Sequence, residues 1–220
     1  MATPSILQES ESRRETYRKG SMNVVNKIRN VLRGILQGFG THRIKRKLWD
    51  AEFSTGRWDH LESTVGDIVY EYVEKYCRNG SILDLGCGSG NTGNEIDISK
   101  YQHYSGVDIS DVAVQKAGLR SKSNQRGEKN QYFQSDIISY MPSQNYDVIL
   151  FRESICYVPR HRVQATLERY SHYLKEGGVF IVRLYDGTAY AEVVDQIQRN
   201  HKVCEKYYPT PSGTIVLVFR

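Results

Sequence analysis

The sequence predicts an α/β protein: a doubly wound, mostly parallel seven-stranded sheet with an antiparallel last strand, preceded by an N-terminal helical extension. Three observations carry that expectation. Strand-like and helix-like segments alternate from Leu61 onward, the pattern of a parallel sheet covered on both faces by crossover helices. The first strand runs directly into a glycine turn, Gly86-Cys87-Gly88-Ser89-Gly90. The last two strands are separated only by Pro209-Thr210-Pro211-Ser212-Gly213, too short for a crossover helix, so that pair should be antiparallel.

Taken in order, residues 1–20 are polar and aperiodic and read as a mobile tail. In the segment 21–60, Val24, Ile28, Val31, Leu32, Ile35, Leu36 and Phe39 recur at helical spacing opposite Lys27, Arg29 and Arg33. That basic amphipathic helix is expected to pack on its own domain or act as a lid; a peripheral membrane or partner contact through residues 21–47 is the other reading. The domain proper, 61–220, should hold helices over Leu61–Cys77, Asp111–Arg120, Arg162–Leu174 and Thr188–Arg199. Its strands should be Ser81–Leu85, Tyr104–Asp108, Gln131–Ser135, Asp147–Phe151, Val179–Leu184, Lys202–Tyr207 and Thr214–Phe219. Lys175-Glu176-Gly177-Gly178 reads as the cap closing the third of these helices.

Composition narrows the function classes. With 220 residues, 39% hydrophobic and 25% charged, the chain can bury a core without staples. Cys77, Cys87, Cys156 and Cys204 form no C-x-x-C pair, so neither a zinc ribbon nor a disulfide framework is expected, and the cytoplasm is the expected compartment. The longest apolar run, Ile215–Phe219, is five residues, against roughly 20 for a membrane span. The first twenty residues carry charges and no apolar h-region, so no secretory signal is expected. The net charge of +5 divides into +8 through Leu48 and −3 beyond it; the basicity belongs to the extension, where it could meet nucleic acid, membrane or an acidic partner.

The residues with chemical content are Asp84-Leu85-Gly86-Cys87-Gly88-Ser89-Gly90-Asn91-Thr92-Gly93, with Asp108 ending the next strand. Glycines after a strand let the backbone approach a ligand, and the following helix N-terminus offers free amide hydrogens. An acid on the second strand can accept from both hydroxyls of a ribose. Gly88 to Gly93 formally satisfies G-x-G-x-x-G, so a nicotinamide or flavin dinucleotide and S-adenosylmethionine (SAM) both qualify as ligands. Three features favour SAM. Gly86 directly follows the strand, which displaces the dinucleotide match by two residues into the helix. Asp84 sets a carboxylate where a pyrophosphate would be repelled and a sulfonium tolerated. With the sequence ending soon after its last strand, no separate substrate domain is expected.

Asp84-Leu-Gly-Cys-Gly-Ser-Gly90 with Gly106-Val-Asp108-Ile-Ser resembles the first two motifs of class I SAM-dependent methyltransferases. Gln134-Ser-Asp136-Ile and Tyr146-Asp-Val-Ile-Leu-Phe151 resemble the next two, and Leu174 to Phe180 the turn into the fifth strand. The resemblance implies that Gly86, Cys87, Gly88 and Gly90 cradle the methionine part of SAM and that Asp108 holds its ribose. It further implies that Ile109, Asp136 and Ile137 meet the adenine, with Phe151 at the end of the fourth strand in the same set. Leu48-Trp49-Asp50 to Gly56-Arg57-Trp58 is similar to the entry segment of many small-molecule methyltransferases, so Trp49 and Trp58 are expected over the cofactor.

The family's acceptor pocket lies beyond the fourth strand, here Arg152 to His161. Glu153, Tyr157 and His161 are the groups there able to exchange a proton, with Glu153 first because it follows the strand end. Tyr157, Tyr185, Tyr190, Tyr207 and Tyr208 could line an aromatic pocket. The Asn/Asp-Pro-Pro-aromatic run of nucleic-acid and protein amino-methyltransferases is replaced by Phe151-Arg152-Glu153-Ser154. Arg152 spoils the acid cluster of the metal-dependent catechol type, so no metal is expected. The expected activity is SAM-dependent methyl transfer to an oxygen or nitrogen of a small molecule, such as a sugar or secondary metabolite, with nucleic acid a less fitting acceptor. The rivals are an NAD(P)-dependent reductase, an RNA methyltransferase using the basic extension, and a membrane-docking cofactor-binding protein.

Overall fold

The computed structural model describes residues 40–58, 64–210 and 213–220. The expected tail and the amphipathic helix at 24–39 lie outside the described residues. The described helices are α1 (His42–Ser54), α2 (Val69–Cys77), α3 (Asn91–Glu95), α4 (Asp111–Ser123), α5 (Arg160–Ser171) and α6 (Ala191–Asn200). The strands are β1 (Ser81–Leu85), β2 (His103–Asp108), β3 (Asn130–Gln134), β4 (Tyr146–Arg152), β5 (Leu174–Leu184), β6 (Val203–Tyr207) and β7 (Ile215–Phe219). They form one seven-stranded sheet in the order β3-β2-β1-β4-β5-β7-β6. β7 runs antiparallel to both β5 and β6, and the other neighbouring pairs are parallel.

Strand alternation divides the core into two layers. Leu83, Leu85, Ile149, Phe151, Phe180 and Val182 face α5 and α6, where Val163, Leu167, Tyr170, Val193 and Ile197 close over them. Ile82, Val148, Leu150, Ile181, Val216 and Val218 face the opposite way, onto Val69 and Val73 of α2. All five residues of β1 and of β7 are buried, which is why these strands read as apolar runs rather than as alternating patterns. The chain order reverses between β1 and β4, and the crevice beyond the carboxyl ends of those strands is where an open α/β sheet places its ligand.

Several boundaries shift by a few residues from the sequence reading, and two shifts have a specific cause. Within the described residues, which resume at Thr64, the helix expected from Leu61 begins at Val69. Gly66 at φ +83° breaks the path, and Asp67 Oδ1 accepts the Val69 amide at 3.2 Å, so Val65 is left on the surface at 82% exposure. The helix expected to run to Leu174 stops at Ser171, and Lys175 to Gly178 caps nothing. These residues bulge out of β5, whose pairing with β4 jumps from Tyr146↔Leu174 to Val148↔Val179, with Gly177 at φ +74°.

Asp147 holds that bulge to the start of β1. Its Oδ2 accepts the Ser81 amide at 2.7 Å, the Ser81 hydroxyl at 3.0 Å and the Lys175 ammonium at 2.7 Å. Burial alone would raise the Asp147 carboxyl, but the Lys175 and Ser81 donors outweigh it and hold the group below the usual aspartate range. Its contribution to stability is therefore present above about pH 4 and lost as pH falls through the depressed folded value. Asp147→Ala should cost about 1–3 kcal/mol in urea denaturation at pH 7, because the Ser81 amide loses its acceptor. The gap between variant and parent should narrow toward pH 3; an equal gap at both pH values would contradict the assignment.

Candidate active site

The crevice at the reversal point opens into a cavity of about 1170 Å³. Its floor begins with the glycine turn. Gly86, Gly88 and Gly90 take φ values of +87°, +53° and +80°, a region that side chains with a Cβ avoid. The Gly86 and Cys87 amides both donate to Val107 O, at 2.7 and 3.0 Å, which pins the turn to β2. A Cβ on Gly86 would come within 2.3 Å of Ser154 Cβ. Ser154 in turn donates from its hydroxyl to Leu85 O.

Asp108, ending β2, is the electrostatic centre of this half. Its Oδ2 accepts the Gly88 amide and its Oδ1 the Ser110 amide, each at 2.9 Å. A carboxylate has about four acceptor positions, so further lone pairs remain for a ligand. Burial pushes the Asp108 carboxyl up to about 6, against the pull of those amides and with Asp84 adding to the rise. Ser110 caps α4 by accepting the Ala113 amide at 3.2 Å and donates to Asp50 Oδ1 at 2.7 Å. Together with the Arg46–Asp111 ion pair, this bond docks α1 against the start of α4.

That docking places an aromatic cover over the cavity. Trp49 meets Trp58 at 5.9 Å and Phe53 at 6.3 Å between ring centroids, and stands edge-on to Tyr157 at 5.0 Å. Trp58 Nε1 donates to Glu52 at 3.0 Å. Phe53 lies above Gly88, 3.6 Å from the position of a Cβ there. Lys45, one turn before Trp49, also lines the cavity and is 9% exposed.

The far end is a line of charges at the strand ends. Arg152 and Arg183 are register partners on β4 and β5. Arg152 donates from Nε and Nη2 to Asp67 Oδ2, at 3.0 and 2.8 Å, and Arg183 Nε lies 3.4 Å from the same oxygen. Arg183 Nη1 pairs with Glu153 Oε1. Burial raises the Glu153 carboxyl above the usual glutamate range, partly offset by Arg183. Glu153 adopts φ +57°, and its amide donates to Arg183 O at 2.9 Å. Tyr157, Tyr185, Tyr190 and Tyr207 line the same cavity.

Of the residues expected at the site, Gly86, Cys87, Gly88, Asp108, Ile109, Asp136, Ile137, Trp49, Trp58, Glu153 and Tyr157 line this cavity. Three others lie elsewhere. Gly90 packs behind the turn, where a Cβ would meet Ala117 at 2.7 Å. Phe151 is fully buried, its ring at 6.2 Å from that of Tyr170. His161 is exposed on α5, outside the lining. Asp84 also departs from its expected place at the strand end: alternation turns it beneath the turn, where Oδ2 accepts the Tyr104 hydroxyl at 2.6 Å. Its Oδ1 is buried without a hydrogen bond, and burial pushes the carboxyl up to about 6.

Sequence reasoning missed Asp67, Arg183 and Lys45. Arg183 had a signal, since it follows the apolar run Val179–Val182 as Arg152 follows Val148–Phe151. Asp67 was legible only by treating Gly66-Asp67 as a turn rather than as helix.

A family described as a methyltransferase domain matches residues 57–216. The chain belongs to the methyltransferase family. Among curated relatives, it is 26% identical over 100 residues to a sterol 24-C-methyltransferase of Gibberella zeae, covering 45% of this chain and 26% of that one. It is 28% identical over 119 residues to an mRNA cap guanine-N(7) methyltransferase of Cryptococcus neoformans, covering 48% of this chain and 19% of the relative. The matched stretches thus span about a quarter or less of these proteins. Among solved structures, the N-methyltransferase NodS from Bradyrhizobium japonicum, in complex with S-adenosylhomocysteine, superposes with a TM-score of 0.63 at 13% identity. That superposition covers 80% of this chain and 97% of that one.

The fold is that of the SAM-dependent methyltransferases, and the residues present fit the cofactor. Asp108 keeps acceptor capacity beside two backbone amides, Gly88 leaves only van der Waals room beneath Phe53, and the orphaned Asp84 oxygen adds negative potential under the turn. If Asp108 is the acceptor for the ribose diol and must be ionised for it, affinity for S-adenosylhomocysteine should be constant above about pH 7. Below about pH 6 it should weaken by roughly tenfold per pH unit. Calorimetry across pH 5–8 checks this. Asp108→Asn should bind more weakly at pH 7.5 and lose most of the acid-side dependence; an unchanged profile would remove Asp108 from the cofactor site.

Proposed function

We propose that this methyltransferase transfers the methyl group of SAM to an oxygen or nitrogen of a small molecule bound between the strand-end charges and the tyrosines. The observation that carries the reading is the continuity of one cavity, from Asp108 and the glycine turn at one end to Glu153, Arg183, Tyr185 and Tyr190 at the other. When bound, SAM supplies an electrophilic methyl carbon on a sulfonium. The chain's own residues supply position. Gly86 to Gly88 and Asp108 hold the donor, Ile109, Asp136 and Ile137 meet its adenine, and Trp49, Phe53 and Trp58 exclude water from above.

Glu153 is the group placed to take a proton from the acceptor, with Tyr157 beside the Trp49 cover as the second polar contact. His161, exposed on α5, has no part in this reading. A covered chamber with tyrosine walls suits a small acceptor better than an RNA. Among the described residues no group of His, Cys, Asp and Glu is arranged to hold a metal, and no helix is long and apolar enough to cross a membrane. The free cysteines Cys77, Cys87, Cys156 and Cys204 suit a reducing compartment, so we place the protein in the cytoplasm.

Calorimetric titration with S-adenosylhomocysteine should give micromolar affinity, near −8 kcal/mol, with no heat from NADH run in parallel. Binding of NADH alone would overturn the reading. With an acceptor in hand, Glu153→Gln should lower kcat by about 10²–10⁴-fold if Glu153 takes the proton, and leave the affinity for S-adenosylhomocysteine within about twofold.

A further inference from the structure

We propose that Glu95 is a positioning residue for the donor, which holds the turn 64–67 from behind the cavity against the amino-acid tail of SAM. The inference rests on the reading that the methionine part of SAM lies on the glycine turn, and it assigns the wall that closes over that part.

Residues 64–67 form a tight turn, closed by the Asp67 amide donating to Thr64 O at 3.0 Å. Gly66 takes φ +83° at its third position, where a type II turn needs a positive φ. All four residues line the cavity, and Val65 at the tip is 82% exposed. Packing contributes little there, so the turn depends on its two feet. The Asp67 foot stands on Arg152 and Arg183 at the strand ends. The Thr64 foot stands on Glu95. The Thr64 amide and hydroxyl donate to Glu95 Oε2 at 3.0 and 2.8 Å, and the Tyr70 hydroxyl donates to the same oxygen at 3.2 Å.

Glu95 ends α3, the helix that directly follows the glycine turn. Its side chain is 5% exposed and stands outside the cavity lining, so it reaches a ligand only through the residues it holds. Arg120 of α4 donates to Glu95 Oε1 and to Asn91 Oδ1, each at 2.8 Å, and Asn91 Nδ2 donates to Thr64 Oγ1 at 3.3 Å. Arg120, Glu95, Thr64 and Asn91 thus close a ring of hydrogen bonds. Asn91 also lines the cavity, one residue beyond Gly90, which sets the Thr64 foot beside the glycine turn. Burial alone would raise the Glu95 carboxyl, but the Thr64, Arg120 and Tyr70 donors outweigh it and hold the group below the usual glutamate range. The acceptor of the ring is therefore ionised at neutral pH, and hydrogen bonds to an ionised group are the stronger kind. The part of SAM that the glycine turn cradles is its amino-acid tail, and the wall next to it is held in place before the ligand arrives. A wall ordered in advance spares the ordering entropy that binding would otherwise cost.

The test compares two ligands on the full chain by calorimetry: S-adenosylhomocysteine, and 5′-methylthioadenosine, which keeps the adenosine and the thioether but lacks the amino-acid tail. The parent should bind S-adenosylhomocysteine more tightly by about tenfold or more. Glu95→Gln should weaken S-adenosylhomocysteine about tenfold and leave 5′-methylthioadenosine within about twofold. Thr64→Val removes the hydroxyl from the ring at nearly constant volume. It should weaken S-adenosylhomocysteine alone, by about threefold, and it carries the test by itself should Glu95→Gln not fold. Combined, the two substitutions should cost less than the product of their separate effects, because both break the same contact. A general loosening of the cavity would weaken both ligands alike. Equal losses for the two ligands, no loss in either variant, or a parent that binds both ligands equally overturns the inference while the cofactor reading stands. A parent that binds neither ligand strikes the cofactor reading itself, and the inference falls with it.

Discussion

One carboxylate organises the glycine-turn end of the cavity. Asp108 joins the end of β2 to the glycine turn through the Gly88 amide and to the start of α4 through the Ser110 amide. Its neighbour Ser110 carries the connection outward, since its hydroxyl donates to Asp50 on α1. Floor and cover of the cavity are therefore joined by two short links. Without the first, the turn is joined to β2 by its bonds to Val107 O alone; without the second, α1 keeps the Arg46–Asp111 ion pair but loses a buried tie beneath Trp49 and Phe53. Holding this acid in a buried place pushes its carboxyl up to about 6, and that desolvation is the cost of keeping acceptor capacity within the cavity lining rather than in open water.

The strand-end half of the cavity is built on a different problem. Parallel pairing of β4 and β5 puts Arg152 and Arg183 side by side, a like-charge contact that would be unfavourable alone. Asp67 resolves it from outside the sheet, lying within 3.4 Å of both guanidinium groups. The loop before α2 is thereby tied to the strand ends, and it is tied again at Thr64, whose amide and hydroxyl both donate to Glu95. Glu95 also takes Arg120 at 2.8 Å. The rim of the cavity thus depends on buried polar partners rather than on apolar packing, and removal of one partner leaves the other uncompensated.

What could be read from the residues follows from how local each signal is. The strands were legible because β1, β4 and β7 are apolar runs bounded by turn residues, and the antiparallel end because five residues cannot make a crossover. The glycine turn and Asp108 were legible because their chemistry is written in adjacent residues. The start of α2 was not, since Val65 and Ile68 keep helical spacing across a Gly66 that takes φ +83°. Nor was the bulge at Lys175 to Gly178, where two glycines fit a helix cap and a strand irregularity equally well. The pairing of Arg152 and Arg183 with Asp67 depends on strand register and on a loop 85 residues from Arg152 in the chain, neither of which any local pattern encodes.

Glu153 shows how these constraints converge. It directly follows the last residue of β4 and must leave the sheet there, yet its amide is held by Arg183 O and its carboxylate by Arg183 Nη1. Two attachments to one neighbouring residue accompany a turn through φ +57°, a conformation that a residue with a Cβ adopts at a cost of roughly 1–3 kcal/mol. A glycine would meet the backbone requirement more cheaply but would leave Arg183 with only Asp67 and a 3.4 Å contact to Thr214. The strain is thus the consequence of keeping a carboxylate at the one point where β4, β5 and the cavity meet. That placement puts a charged group of the chain, rather than a tyrosine, at the junction of the two strands and the cavity.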